Sequence, residues 1–119
     1  MEFTFIFTEV FAIGIYFVSP LLISLVFLIA SLGYTIGRIE NWSILDSLYY
    51  AFITATTVGY GDFHPLKRRS KCIAILIALI GLLCTGIIVA IGLKAAEVAF
   101  TNHYEIEQII DRIKLRLAV

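Results

Sequence analysis

A short segment in the middle of the chain, Thr57-Val58-Gly59-Tyr60-Gly61, has the residue types from which a cation site can be built. Its glycines stand at alternate positions, and glycine readily adopts backbone angles that other residues avoid. Alternating angles of this kind can aim successive backbone carbonyls in one direction. Carbonyl oxygens in a row, with the Thr57 hydroxyl at one end, can replace the water around a dehydrated cation.

One copy of this segment cannot surround an ion. An unpaired charge in a medium of low dielectric constant costs on the order of tens of kcal/mol, so the ion needs oxygen atoms on every side. Four copies around an axis would stack rings of carbonyls, and the side chains of Val58 and Tyr60 would then point away from that axis. The chemistry therefore predicts a four-fold assembly.

The composition indicates a membrane protein. Of the 119 residues 61% are hydrophobic and 15% are charged, whereas globular domains have an apolar share of about 45–50%. The uncharged run 72–93 would be about 33 Å long as a helix, enough to cross a hydrocarbon core of about 30 Å. It predicts an inner spanning helix over 72–93.

A second uncharged run covers 10–37 and is interrupted by Ser19 and Pro20. This pair is typical of an N-cap followed by proline at the first helical position. It predicts an outer spanning helix over 20–36, preceded by an N-terminal interfacial segment over 1–19. The formal net charge of zero gives no indication of a nucleic-acid partner.

The connector between these runs contains a second helical signal. Ser43 and Asp46 resemble a capping box, and apolar residues then recur at helical spacing, which predicts a short pore helix over 43–56. This helix is too short to span, and it leads directly into the segment 57–61. Irregular backbone at membrane depth is tolerated only where protein buries it or where it lines an aqueous cavity.

These elements together predict the fold class. We expect an all-α membrane protein with two transmembrane helices, a re-entrant pore helix and a selectivity-filter loop, assembled as a tetramer. The tail 94–119 has apolar residues spaced as in a heptad seam, at Ile106, Ile110, Ile113 and Leu117. It predicts a cytoplasmic helix, which forms a four-stranded bundle below the pore, lies on the membrane, or links to a regulatory domain outside this chain.

The run Thr56-Thr57-Val58-Gly59-Tyr60-Gly61-Asp62 reproduces the potassium-channel signature sequence, and the span 20–93 resembles the two-transmembrane-helix prokaryotic potassium channels. The resemblance implies a homotetramer in a prokaryotic plasma membrane, with cytoplasmic termini and membrane lipid around it. It implies passive, selective conduction of potassium ions through the filter 57–61. No cofactor is expected besides the permeant ion.

The resemblance also implies roles on the inner helix. Gly81 lies 20 residues after Gly61, at the place of the family's gating-hinge glycine; close packing in a membrane helix is the alternative interpretation. The expected cavity and inner gate, where apolar side chains close a pore by dewetting, consist of Leu82, Thr85, Val89 and Leu93. The alternative for this face is packing against a neighbouring helix.

Residues beside the filter are expected to support it. Asp62 resembles an aspartate that forms hydrogen bonds behind the filter, and some relatives pair it with a glutamate on the pore helix. Ile53 occupies the corresponding place here, so Tyr49 is the candidate donor instead. Thr56, the first residue of the signature, belongs to the same supporting group.

One charge pattern opposes the family's topology. The positive-inside rule places Lys and Arg on the cytoplasmic side, whereas the family places outside the connector that carries Arg38, Lys67, Arg68, Arg69 and Lys71. We give the filter architecture precedence, and we expect these residues to contact lipid head groups of the outer leaflet.

Other functions fit the sequence less well. A non-selective cation channel of the same architecture usually changes Tyr60 or Gly61, and both are present. The pore of a voltage-gated channel would need a helix with arginines at every third position. A membrane subunit that conducts nothing would not need the intact signature. No catalytic constellation can be assembled, so an enzyme is not expected.

Overall fold

The computed structural model describes residues 2–118, which contain three helices and no β-strand. Helix α1 is Glu2–Glu40, α2 is Ile44–Ala55 and α3 is Arg68–Ala118. Both α1 and α3 are long and apolar enough to cross a membrane. Only 6% of the most apolar 18-residue stretch of α1, and 17% of that of α3, is buried. The prediction of an all-α protein with two long apolar helices is confirmed, while the tetramer stays a prediction.

Helix α1 continues through Pro20, so the helix start predicted at that residue is wrong. Proline donates no backbone hydrogen bond, but apolar membrane helices tolerate it because nearby hydroxyl groups and neighbouring helices compensate. Residues 2–18 are therefore helical and part of α1, and their interfacial position stays a prediction.

Helix α3 is longer than predicted at both ends. It begins at Arg68 and runs without interruption to Ala118, so the expected division at 93 between an inner helix and a separate tail helix is wrong. Residues 94–118 contain neither proline nor glycine, and nothing in their sequence ends a helix. Beyond Phe100 every described residue of this helix is exposed.

The chain divides into two compact units, each described here by itself. One unit is Ser19–Ile87, in which the second half of α1, α2 and the first part of α3 pack together. Its core consists of Ile29, Ile36, Tyr50, Ala51, Ala55 and Ile77. A Cβ atom at Gly33 would overlap the Ala51 Cβ, so the absence of a side chain at Gly33 lets α1 and α2 approach closely.

The other unit combines residues 1–18 with Ile88–Val119. In it the N-terminal half of α1 packs along the middle of α3, where Ala95 and Ala99 are buried. The ring centroids of Phe3 and Phe100 are 4.7 Å apart. Aromatic and small residues thus hold this unit together.

A clasp joins the end of α1 to the start of α3. The Glu40 Oε1 atom accepts hydrogen bonds from the backbone N–H groups of Leu66, at 3.0 Å, and Lys67, at 2.9 Å. In return, the Lys67 Nζ atom donates to the Ile39 carbonyl at 2.8 Å. Free N–H groups at a helix start need acceptors and favour negative charge. Because the first turn of α3 has no acidic residue, Glu40 supplies both.

We expect Glu40→Ala to lower the melting temperature of the purified protein by several degrees, because two backbone donors lose their acceptor. The control is Glu9→Ala, which removes an exposed carboxylate from the same helix. Thermal unfolding of both variants in detergent, followed by circular dichroism, is the measurement. Equal melting temperatures for the two variants would show that the clasp contributes nothing to stability.

Candidate functional site

Helix α2 positions the glycine-containing segment, and its start is fixed by Ser43. The Ser43 Oγ atom accepts a hydrogen bond of 3.1 Å from the Asp46 backbone N–H. The Ser47 hydroxyl donates to the Ser43 carbonyl at 2.7 Å. The cap is the one that the sequence predicts, and the helix itself covers Ile44–Ala55 between the cap residues Ser43 and Thr56.

The end of α2 holds the beginning of the segment. The Thr56 hydroxyl donates to the Phe52 carbonyl at 2.6 Å, and the Thr57 N–H donates to the Thr54 carbonyl at 3.2 Å. The Gly59 N–H returns to the Ile53 carbonyl at 3.0 Å. Carbonyls that a helix end leaves without partners are thereby satisfied. The same bonds fix where the segment leaves the helix.

The backbone of the segment alternates as its glycine spacing predicts. Positive φ angles occur at Thr57 (65°), Gly59 (56°) and Gly61 (83°). Glycine adopts such angles freely, whereas a β-branched residue such as threonine pays about 1–3 kcal/mol. Sequence reasoning assigned the unusual angles to the glycines alone and missed Thr57. The signal was the period of two, which continues backward from Gly61 to position 57.

Within one subunit the segment is exposed and has open space beside its glycines. All residues from Thr57 to Asp62 are exposed, and a Cβ atom at Gly59 or Gly61 would meet nothing within 4 Å. The side chains of Val58 and Tyr60 are 50% and 71% exposed. The single subunit therefore provides little packing for these two side chains.

A cluster of aromatic rings connects Phe63, just after the segment, to α2. The Trp42 ring is 5.2 Å from the Tyr50 ring and 5.4 Å from the Phe63 ring, measured between centroids. Tyr49 is 6.2 Å from Phe63. All three pairs meet edge to face, the arrangement that aromatic quadrupoles favour. Sequence reasoning missed Phe63, whose only signal was a large apolar residue directly after Asp62.

Asp62 and Tyr49 are brought together, as the sequence suggested. The Tyr49 hydroxyl lies close to the Asp62 carboxylate, and hydrogen bonding to this carboxylate, together with desolvation and its negative charge, raises the pKa of Tyr49 above its usual value. The Asp62 Oδ1 atom also accepts from the Phe63 N–H at 3.1 Å. Because the usual tyrosine pKa of about 10 already lies far above neutral pH and is raised here, the Tyr49 hydroxyl keeps its proton at neutral pH.

Gly81 lies against the end of α2. A Cβ atom there would stand 2.5 Å from the Ala55 Cα and 2.7 Å from its carbonyl carbon, whereas a Cβ at Gly86 would meet nothing within 4 Å. This geometry supports the close-packing interpretation of Gly81. Helix α3 has no break at this residue, and the hinge role stays a prediction.

The predicted cavity and gate positions lie on α3 and are exposed in the subunit. Leu82 and Thr85 are exposed, and Val89 and Leu93 are 53% and 68% exposed. A face that lines a cavity and a face that packs against a neighbouring subunit both need such exposure. The choice between these two interpretations stays open.

Comparisons with known proteins agree on one class. Residues 3–97 match the family described as "Ion channel". The chain is 35% identical over 72 residues to "TWiK family of potassium channels protein 7" of Caenorhabditis elegans, an alignment that covers 60% of this chain and 13% of that protein. It is 32% identical over 90 residues to the human "Voltage-gated potassium channel regulatory subunit KCNF1", covering 72% of this chain and 17% of that protein.

A third relative is the human "Potassium channel subfamily K member 18", which is 40% identical over 46 residues, covering 39% of this chain and 12% of that protein. The chain thus spans less than a fifth of the length of these curated relatives. No solved structure matches it.

We expect Gly81→Ala to destabilise the protein by roughly 1–3 kcal/mol, because the new methyl group meets the backbone of α2 and overpacking has costs of this size. Gly86→Ala is the control, since it gains the helix propensity of alanine without a clash. Denaturant unfolding of both variants in detergent measures the difference. A Gly81→Ala variant as stable as Gly86→Ala would contradict the close-packing role.

Proposed function

The chain belongs to the ion channel family, and from this premise we propose that it forms a potassium-selective channel in which four copies surround one axis. The observation that carries the proposal is the segment 57–61. Its backbone takes left-handed φ angles at Thr57, Gly59 and Gly61, and all five of its residues are exposed in the subunit. Such a backbone is suited to lining an ion pathway.

The selectivity follows from the oxygens that the segment offers. In a four-fold assembly the carbonyls of Thr57, Val58, Gly59 and Tyr60 form successive rings, and the Thr57 hydroxyls add a ring at one end. These oxygens replace the hydration shell of potassium, so the ion loses little stabilising free energy when it leaves water. Ions then pass in file between adjacent rings, driven by the electrochemical gradient.

Neighbouring elements add to the affinity for cations. Helix α2 ends at Ala55, directly before the segment. A helix C-terminus has about half a negative elementary charge, which favours a cation nearby. Val58 and Tyr60, which one subunit leaves exposed, pack against the adjacent subunit and hold the rings at a constant diameter.

The proposed topology has α1 and α3 as the two spans, with both termini cytoplasmic in a prokaryotic plasma membrane. The basic residues of the connector then face outward, against the positive-inside rule. Lys67 donates to Ile39. Four other basic side chains are exposed and form no ion pair within residues 2–118, which leaves them free to contact lipid head groups: Arg38, Arg68, Arg69 and Lys71.

The names of the relatives favour potassium and also motivate a second candidate. Two of them are named as potassium channels, which supports the choice of ion. Another is named as a regulatory subunit of a potassium channel. The second candidate is therefore a subunit that joins another channel and modifies its current.

The deciding experiment is the reversal potential of purified protein in planar bilayers, with potassium on one side and sodium on the other. We expect a value near the potassium equilibrium potential. Gly59→Ala is expected to abolish selectivity or current, since its φ of 56° strains any other residue. Gly86→Ala, where a methyl group meets open space, is expected to retain both.

Two results would contradict the proposal. Robust current that reverses near zero would make the chain a non-selective cation channel. No current alone, together with an altered current when the chain is coexpressed with a conducting relative, would make it the regulatory subunit.

We expect Tyr49→Phe to change the rate of slow inactivation several-fold, because Asp62 loses the hydroxyl that restrains it behind the filter. Tyr104→Phe, on an exposed residue of α3, is the control.

Wild-type inactivation should stay constant from neutral pH to about pH 9, because the usual tyrosine pKa of about 10 is raised for Tyr49 and the donor keeps its proton. Current decay during long depolarising steps is the measurement, and equal rates in wild type and Tyr49→Phe would refute the role.

A further inference from the structure

The N-terminal half of α1 forms a ladder of aromatic rings along α3. Phe3, Phe7 and Phe11 lie four residues apart and therefore on one face of the helix. Phe3 and Phe7 stack with centroids 6.2 Å apart, and Phe7 and Phe11 stack at 5.8 Å. The first ring of the ladder contacts Phe100 of α3 at 4.7 Å. An interfacial segment needs no such contact with another helix.

The two helices also approach closely at their small residues. A Cβ atom at Gly14 would stand 2.7 Å from the Ile91 Cγ2 atom, and one at Gly92 would meet the Phe11 Cε2 atom at 3.8 Å. Ala95, one turn farther along α3, is fully buried. Small residues allow helix backbones to pack tightly where no water drives association. Residues 2–18 and the middle of α3 thus form one packed body.

The packed face of α3 lies opposite its exposed apolar face. Ile91 and Leu93 are two positions apart, so their side chains point about 160° away from each other around the helix. Ile91 faces Gly14, whereas Leu93 is 68% exposed. The N-terminal half of α1 therefore supports the back of the stretch that presents Val89 and Leu93.

We propose that residues 2–18 of α1 position the inner gate, with Gly14 setting how far α3 stands from the channel axis at Leu93. The inference rests on the proposed function and takes the gate interpretation of Leu93, in which this exposed side chain faces the channel axis. Gly14 acts through Ile91 and touches no permeant ion, so it is a positioning residue. The N-terminal half of α1 thereby joins the gating machinery of the channel.

The direction of the effect follows from the geometry. A larger side chain at Gly14 pushes against Ile91 and displaces α3 toward the side that presents Leu93, which is the side of the axis. Four leucines that move inward narrow an apolar constriction, and such constrictions stop conduction by losing their water. A larger side chain at Gly14 therefore favours the closed channel.

The test compares Gly14→Leu with Ala12→Leu, which adds the same side chain at an exposed position two residues away. We expect Gly14→Leu to reduce open probability about tenfold in single-channel recordings, with unitary conductance and reversal potential unchanged, and Ala12→Leu to behave as wild type. A general defect in structure would alter conductance and selectivity as well. Equal open probabilities in the two variants would overturn the inference.

A second measurement needs no current. Spin labels at Leu93→Cys, in a Cys72→Ser and Cys84→Ser background, report the distances between subunits by electron paramagnetic resonance. We expect these distances to shorten with Gly14→Leu and not with Ala12→Leu. Wild-type protein that conducts no potassium, or a labelled Leu93→Cys variant with Gly14 intact that gives no distance between subunits, overturns the proposed function. Wild-type current together with distances that Gly14→Leu leaves unchanged overturns this inference alone.

A milder set of variants decides the question if Gly14→Leu does not assemble. Phe3→Ala, Phe100→Ala and the double variant remove the aromatic contact from one side, the other side and both. We expect their effects on the opening equilibrium to be non-additive, as for residues in contact. Phe5→Ala combined with Phe100→Ala is the control pair, since Phe5 is 72% exposed. Additive effects for the Phe3 and Phe100 pair would overturn the inference.

Discussion

The rest of the structure depends on one constraint, which is that irregular backbone cannot remain bare at membrane depth. The segment 57–61 has carbonyls that follow no helix, and lipid offers them no hydrogen bonds. The only environments that satisfy such groups are surrounding protein and a column of water and ions. In the proposed channel, this constraint explains why the exposed segment follows a capped short helix and why several subunits surround it.

Residues next to the segment hold its backbone in place and leave the segment itself exposed. The Gly59 N–H is bonded to the end of α2, Asp62 is held by Tyr49, and Phe63 packs on Trp42. Thr57 to Asp62 themselves stay exposed in the subunit. In the proposed channel, the contacts that fix the backbone of the segment keep the spacing of the oxygens that it presents to ions.

Close contacts between helices depend here on residues without large side chains. Apolar side chains gain little by leaving lipid for protein, so membrane helices associate through packing at short distance. Gly33 against Ala51 and Gly81 against Ala55 bring α1 and α3 onto α2. Gly14 against Ile91 does the same for the other compact unit. Each glycine is thus a position where an added methyl group would change a distance between helices.

The sequence by itself determined the features that depend on local chemistry: two long apolar helices, the Ser43 cap of α2, the alternating backbone of the segment and the pairing of Tyr49 with Asp62. The first three follow from hydrophobic length, a capping side chain and the backbone freedom of glycine, and the pairing of Tyr49 with Asp62 follows from the resemblance of the signature to that of potassium channels. Only the tertiary structure decided that α1 continues through Pro20, that Glu40 caps α3, that Phe63 joins the aromatic cluster and that Gly81 packs on Ala55. These features depend on which distant residues meet, and helix periods and caps specify the elements of a chain without specifying those contacts.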